Sequence, residues 1–438
     1  MNPNCLDELN RRDFLCRTAR TCFGLTIGGS MARLFDSSAL AADPAVLQAG
    51  GGKAKHVIYL YMAGGMTHID TFDPKPDAPE DVRGPVKALS TKVDGIQLGH
   101  CLPRLAQLTD KVALIRSLST TQGAHDQGKY LMHTGYTPRG TISHPSSGSW
   151  VSKMLPKINQ DLPPFVLVGG ANGHPGAGFF EPEFAPLPIG DPTLGLQNVK
   201  RRYNTNDESF NRQLQLRKEL DHDFDTKYHD TQKSIRAYDQ VYEAAVTLMD
   251  SKDLEAFDLA KENPDTRAAY GSDRFGQGVL LARRLVERGV RFIEVELGGF
   301  DWHADNFDQM EDKIPILDQA LSALLTDLSS RGLLDSTLVV VATEFGRSPK
   351  ITPNAGRNHY PKAFSCLLAG GGVRGGQVYG ATDATASTVI EGKVGAHDFN
   401  ATIAFSMGIP YDLTVMSPSK RPFKMGGQDG KPITSIFA

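Results

Sequence analysis

Six short runs, apolar at nearly every position, recur along this chain: HVIYLYM (56–62), KVALIRSL (111–118), FVLVGG (165–170), VRFIEVEL (290–297), TLVVVAT (337–343) and FSCLLAGGG (364–372). A strand that is apolar on both faces must be covered on both faces, which is the habit of parallel rather than half-solvated antiparallel sheets. Between the runs lie segments with helical spacing, among them RFGQGVLLARRLVERG, closed by Gly289, and IPILDQALSALLTDLSSRG, closed by Gly332. Strands alternating with helices predict an α/β fold of three layers, α/β/α, around a mostly parallel central sheet. HDQGKYLMHTG (125–135) predicts a further short helix, and residues 172–192, rich in Gly and Pro, an irregular loop. Residues 207–262 are highly charged with apolar positions at helical spacing and predict a long helical insertion on the surface.

The chain opens on a targeting signal rather than on fold. NRRDFL (10–15) carries the pair Arg11 and Arg12, a weakly apolar stretch TCFGLTIGGSMARLF follows, and Ala39-Leu40-Ala41 offers a cleavage site. Residues 1–42 are therefore expected to be a twin-arginine signal peptide and 43–438 the folded domain, exported to the periplasm or beyond. No later segment has the roughly 18 consecutive apolar residues of a membrane helix. A formal net charge of −3 over 438 residues argues against nucleic acid as partner, since such proteins carry a basic face. Outside the signal the cysteines are Cys101 and Cys366, either bridged in an oxidising compartment or present as two buried thiols. No CxxC pair is present, so a thiolate zinc site is not expected.

In open α/β sheets ligands bind beyond the carboxyl ends of the strands. After the first run stand His68, Asp70 and Asp73; after the second, His125 and Asp126; after VRFIEVEL, Asp301 and His303; after TLVVVAT, Glu344 and Arg347, with His359 in NHYP soon after. Imidazole with carboxylate is the usual ligand set of zinc, manganese or iron. Any one such residue is more often a hydrogen-bonded loop pair, a helix cap (Asp301) or a local ion pair (Glu344 with Arg347). Repetition at four strand ends points to one metal-binding site.

The twin-arginine start, GGMTHIDTFDPKP, HDQGKYLMHTGYTP, GGFDWHADN, TEFGRSP and GRNHYP together resemble an exported family, domain of unknown function family 1501, over nearly the whole chain. That family is similar to the alkaline phosphatase/sulfatase superfamily, in which one or two metal ions sit over the strand ends and a Ser, Thr or modified Cys attacks phosphate or sulfate. The resemblance implies an alkaline phosphatase-like fold, with His303 as a ligand in HADN and Asp301 standing in for the acid that lies a few residues earlier. Glu344 takes the Asp place of an Asp-His-Gly segment, Phe345 replaces its His, and His359 resembles the final His ligand. The usual first Asp is missing near Ala63, where Asp70 or His68 substitutes, and His125 falls where the nucleophile normally stands.

The expected metal ligands are thus His68, Asp70, Asp301, His303, Glu344 and His359, holding a divalent metal such as zinc, manganese or calcium. The expected catalytic residues are His125, Asp126 and Arg347. Water activated by the metal would attack directly, with His125 as general acid/base or further ligand. Arg347 and Arg357 would clamp anion oxygens, and Thr67, Thr120 and Thr121 are weaker candidates for a nucleophile. The expected function is an exported metal-dependent hydrolase of phosphate or sulfate esters, acting on a small anionic ester or a sulfated or phosphorylated glycan. The alternative is a non-catalytic exported binding or scaffold protein on the same fold; a phosphomutase or transferase ranks last.

Overall fold

The computed structural model describes residues 52–438 apart from 198, 200–205 and 229–232. The expected signal peptide, 1–42, lies outside the described residues. Eight strands form one sheet: β1 (His56–Ala63), β2 (Val112–Leu118), β3 (Phe165–Val168), β4 (Leu187–Ile189), β5 (Phe292–Gly298), β6 (Thr337–Ala342), β7 (Phe364–Ala369) and β8 (Gln377–Tyr379). Their spatial order is β8-β2-β7-β6-β1-β5-β3-β4. All six predicted runs are strands. The region expected to be wholly irregular, 172–192, adds a short edge strand, β4, too brief to show a periodicity.

β1 pairs in parallel with β5 and β6, and β3 with β5 and β4. The exception is β7, antiparallel to both β2 and β6. Its reversal matters for function: the residues before β7 lie at the same sheet edge as the residues after the other strands.

The sheet is covered on both faces, completing the predicted three layers. Ile58, Leu60 and Met62 of β1 pack in one cluster with helices α5 (Arg274–Glu287) and α6 (Asn306–Ser330). Val57, Tyr59 and Tyr61 point the other way, into a cluster with α1 (His125–Thr134), α2 (Ser147–Met154) and α7 (Ala396–Ser406). Period-two alternation on a strand apolar on both faces produces this division. Helix α6 begins eight residues before the predicted start and runs through Pro315. The expected insertion forms α3 (Asp207–Tyr228) and α4 (Lys233–Asp250), followed by 3-10 turns at Lys252–Phe257 and Leu259–Lys261.

Cys101 and Cys366 are buried free thiols. They lie in the clusters on opposite faces of the sheet, so of the two expectations the buried thiols hold. Among the described residues no helix is long and apolar enough to cross a membrane.

Candidate metal centre

Four strand ends and one reversed strand bring the site together. β1 ends into Gly64, whose φ of 115° few side chains adopt. A Cβ on Gly64 would lie 2.6 Å from the Phe300 amide nitrogen and 2.7 Å from that of Asp301, so the loop after β5 rests directly on the loop after β1. Asp301 is thereby placed at the carboxyl edge, next to the segment after β6 that carries Glu344 and Arg347. His125 opens α1 after β2, and His359 precedes β7.

The resulting cluster centres on Asp301. His303 Nε2 lies 3.0 Å from Asp301 Oδ1. His359 Nε2 lies 3.1 Å from the same oxygen and 3.1 Å from His303 Nε2. His125 Nε2 lies 3.2 Å from Asp301 Oδ2. Arg347 holds the carboxylate from behind, its Nη2 2.5 Å from Oδ1. Burial pushes the Asp301 carboxyl up, but hydrogen bonding and nearby positive charge, Arg347's first, outweigh it and keep the group well below the ordinary carboxylate range.

Proton placement decides what these imidazoles can do. A carbonyl oxygen only accepts, so His359 donates from Nδ1 to the Gly123 carbonyl at 2.7 Å. His125 likewise donates from Nδ1 to Glu344 Oε1 at 2.7 Å. His303 faces Asn358 Oδ1 with Nδ1 at 3.4 Å, a looser contact of the same kind. In the neutral rings the Nε2 lone pairs therefore converge on one carboxylate. A ring anchored through one nitrogen to a carbonyl or carboxylate, with the other nitrogen directed inward, is the arrangement of a metal-ligating histidine. His125 Nε2 is buried and has no hydrogen-bond partner of its own. The three edges of 3.0, 3.1 and 3.1 Å among His303, His359 and Asp301 are close to the roughly 3.3–3.4 Å edge of a tetrahedron with zinc–nitrogen bonds of about 2.0–2.1 Å. His125, Asp301 and His359 offer ligand atoms close enough to one another to share a divalent cation, with His303 beside Asp301 and His359.

Glu344 stands behind His125 rather than among the inward-facing atoms. It is buried and accepts from His125, the Gly64 N–H at 2.8 Å, Tyr61 Oη at 3.0 Å and Thr343 Oγ1 at 3.1 Å. Burial raises its carboxyl, and these bonds outweigh that and hold it low. Its hydrogen bond in turn raises the pKa of His125 above the ordinary value.

Other expected site residues are not brought here. His68 is buried, donates from Nε2 to the Ala386 carbonyl at 2.9 Å, and is kept neutral chiefly by burial. Asp70 is fully enclosed and paired with Arg357. Asp126 is exposed on the first turn of α1, turned toward Gly173. Both arginines are committed within the protein, Arg347 to Asp301 at the cluster and Arg357 to Asp70. Arg347 also donates to the carbonyls of Gly65, Arg357 and Gly64, and Arg357 is wholly buried. The expected anion clamp is replaced by two guanidiniums that hold loops, because their donors are consumed by backbone oxygens. Of the threonines, Thr67 donates to Asp70 at 2.8 Å and Thr121 is exposed. Thr120 pairs through its backbone N–H with the Pro361 carbonyl at 2.8 Å. Phe345 packs its ring 4.7 Å from that of His359 and 5.0 Å from that of His125.

A second cluster, unforeseen from the sequence, lies deeper under α1: His133, His174 and Glu294. Here the protons are arranged differently. His174 Nδ1 accepts from the Gly176 N–H at 3.0 Å, so Nε2 carries the proton and donates to Glu294 at 3.2 Å. His133 donates from Nδ1 to the Lys129 carbonyl at 2.7 Å, with Nε2 2.8 Å from Glu294. A proton occupies the place a cation would need at His174. The third group, His100, Cys101 and Glu311, fails alike: His100 Nδ1 accepts from the Lys87 N–H, and burial pushes the Cys101 thiol up to about 12, far from the thiolate that binds zinc. The missed cluster left a signal. His125, Lys129 and His133 recur every four residues on one helical face, and acids alternate at 294 and 296 in the otherwise apolar β5. Lys129 meets Glu296 at 2.8 Å, completing three acid–base rungs.

The profile of one family, described as Protein of unknown function (DUF1501), matches residues 54–437. No curated protein matches the chain. Among solved structures the chain is similar to the lipoteichoic acid synthase LtaP from Listeria monocytogenes, at 10% identity and a TM-score of 0.38, over 90% of this chain and 78% of that one. It is also similar to the PsFucS1 sulfatase from Pseudoalteromonas sp., at 13% identity and a TM-score of 0.37, over 82% and 68%. A protein in the alkaline phosphatase superfamily from Vibrio parahaemolyticus gives 10% identity and a TM-score of 0.35, over 85% and 72%.

Proposed function

This chain belongs to the DUF1501 family, and from that starting point we propose that it is an exported metal-dependent hydrolase of phosphate or sulfate esters. The observation that carries the proposal is the convergence of three Nε2 atoms, from His125, His303 and His359, on the Asp301 carboxylate. These residues would hold the cation. When bound, a divalent metal neutralises charge on an anionic substrate oxygen and acidifies water at neutral pH.

The residues of the chain do the rest. Arg347 fixes Asp301 and keeps it ionised as a ligand. Glu344 orients His125 and fixes its tautomer, placing the lone pair toward the cluster. Phe345 walls one side with an apolar ring against His125 and His359. The opposite side is open, since the His303 and Asp301 side chains are 49% and 46% exposed, which suits an ester carried on a larger group such as a glycan. Both nearby guanidiniums are committed within the protein, so the substrate's charge would have to be met at the cluster that His125, Asp301 and His359 form. Attack by water accords with the absence of Ser or Cys at residue 125.

The test is metal content together with turnover. Purified mature protein is expected to retain about one divalent ion per chain and to hydrolyse a generic aryl phosphate or aryl sulfate. His303→Ala should abolish both while the far-UV circular dichroism is kept. A folded wild-type protein that holds no transition metal and turns over neither ester would leave the scaffold reading in its place.

A further inference from the structure

We propose that Asp70 is a positioning residue that holds both histidine-bearing segments of the candidate metal centre at once, through Arg357 on one and Asn306 on the other. The proposal rests on the metal reading above for its consequence, though not for its geometry. Asp70 lies in the loop after β1 with no solvent exposure at its carboxylate. Its Oδ2 accepts from Thr67 Oγ1 at 2.8 Å, Asn306 Nδ2 at 3.0 Å and Arg357 Nε at 2.8 Å, and its Oδ1 accepts from Arg357 Nη2 at 2.8 Å. Asn306 stands three residues after His303, and Arg357 two residues before His359. One buried carboxylate thus holds both stretches of chain that supply an imidazole, by a paired bond to Arg357 and a single bond to Asn306.

The two segments are also joined directly. Asp305 N–H donates to the Asn354 carbonyl at 3.0 Å, Asn306 N–H to Ala355 at 2.9 Å, and Arg357 N–H to Trp302 at 3.0 Å. Gly356 makes the approach possible, because a Cβ there would overlap the His303 carbonyl. At the junction two residues that are not glycine, Asp305 (φ 50°) and Ala355 (φ 54°), take left-handed conformations. Such conformations persist only where the surroundings over-determine them. The backbone bonds between the segments supply that constraint, and Asp70 holds each segment in place through Asn306 and Arg357. Arg357 spends its remaining donors on the carbonyls of Val82, Ser348 and Pro349, so all five of its N–H groups are committed and the guanidinium has one orientation. A buried ion pair is weak support for stability as such, but a bidentate fork has a defined geometry. Orientation of the two imidazoles, rather than stability, is what this pair supplies.

The test compares Asp70→Asn with Asp318→Ala, a destabilising control on the opposite side of the sheet from α1. Asp318 accepts from the Arg104 and Leu105 N–H groups and touches neither segment. Asp70→Asn should weaken Co²⁺ binding by about 10–100-fold, the usual cost of losing an outer-shell partner, and shift the visible bands of bound Co²⁺. Asp318→Ala should leave affinity and spectrum as in the wild type. Hydrogen exchange read by mass spectrometry gives a metal-independent measure: peptides covering 302–306 and 354–359 should exchange about tenfold faster in Asp70→Asn and unchanged in Asp318→Ala. Wild-type exchange in Asp70→Asn, or an equal effect of both variants, overturns the proposal. Should the wild type bind no Co²⁺, the metal reading fails alone, and the exchange data still decide whether Asp70 positions the two segments.

Discussion

At Glu344 a buried carboxylate decides what the imidazole in front of it can do. Its bond to Nδ1 directs the His125 lone pair at Asp301 and raises the His125 pKa above the ordinary value. Glu344→Gln keeps the shape and removes the charge, so in metal-free protein the His125 pKa should fall, and its ¹³C–¹H NMR titration should midpoint at lower pH. A midpoint unchanged or higher in the variant would show that Glu344 does not set the proton. Gly356 is a steric rather than electrostatic requirement. Gly356→Ala has to push the His303 segment away from the His359 segment, with the His303 carbonyl in the path of the new methyl. A loss of metal affinity larger than that of an alanine at solvent-open Gly140 is the expected result in a Zn²⁺ titration. Asp70, Arg347 and Arg357 suggest chemistry by residue type and by neighbourhood. Whether a charged side chain faces a substrate or a loop depends on which backbone oxygens surround it, and that is not written in spacing.

The helices and strands hold the site through polar contacts that no periodicity announces. Helix α1 sits on the sheet by rungs that join His125 to Glu344, Lys129 to Glu296 and His133 to Glu294. Past α1, His144 stacks on Tyr136 at 4.4 Å and packs against Phe423, tying the helix's exit to the two-residue ladder at 422–423. Burial lowers the His144 pKa to about 4, against 6.5 for the ring in water. The fold therefore holds the ring neutral while the unfolded chain binds a proton between those values. Its stabilising effect is complete above about pH 6.5 and is lost as pH falls toward about 4. Urea midpoints measured from pH 8 to 4.5 should decline across that window, and the decline should be smaller in His144→Gln. On the other face, Asp318 of α6 accepts the N–H groups of Arg104 and Leu105 at 3.0 and 2.8 Å, satisfying the start of the turn at Pro103–Ala106. Asp318→Ala strands both groups and should cost about 2–4 kcal/mol of unfolding free energy; a loss under about 0.5 kcal/mol would mean that water replaces the carboxylate.

For the molecule as a whole, a metal bound at a site assembled from segments as far apart as residues 125 and 359 would link its binding to folding. With free Zn²⁺ at about 100 times its dissociation constant, linkage adds about 2.7 kcal/mol, or about 3 °C in melting temperature for a domain of this length. Chelation should remove that increment in the wild type and nothing in His303→Ala. Export is the other proposal at this scale, and Arg11→Lys/Arg12→Lys should leave the protein uncleaved in the cytoplasm if the twin-arginine signal is read as proposed.

The sequence by itself determined the layered α/β architecture, because strands buried on both faces must be apolar throughout and their covering helices amphipathic. It also pointed to the edge where the candidate site lies, because polar loops follow the strand ends. Tertiary structure alone decided which of those loops meet. β7 runs against its neighbours and so delivers His359 to the shared edge, while Asp70 and His68, equally near a strand end, turn into the interior. Local composition sets the direction of a strand's side chains, but the choice of neighbours is made by packing across hundreds of residues, and ligand sets are built from neighbours.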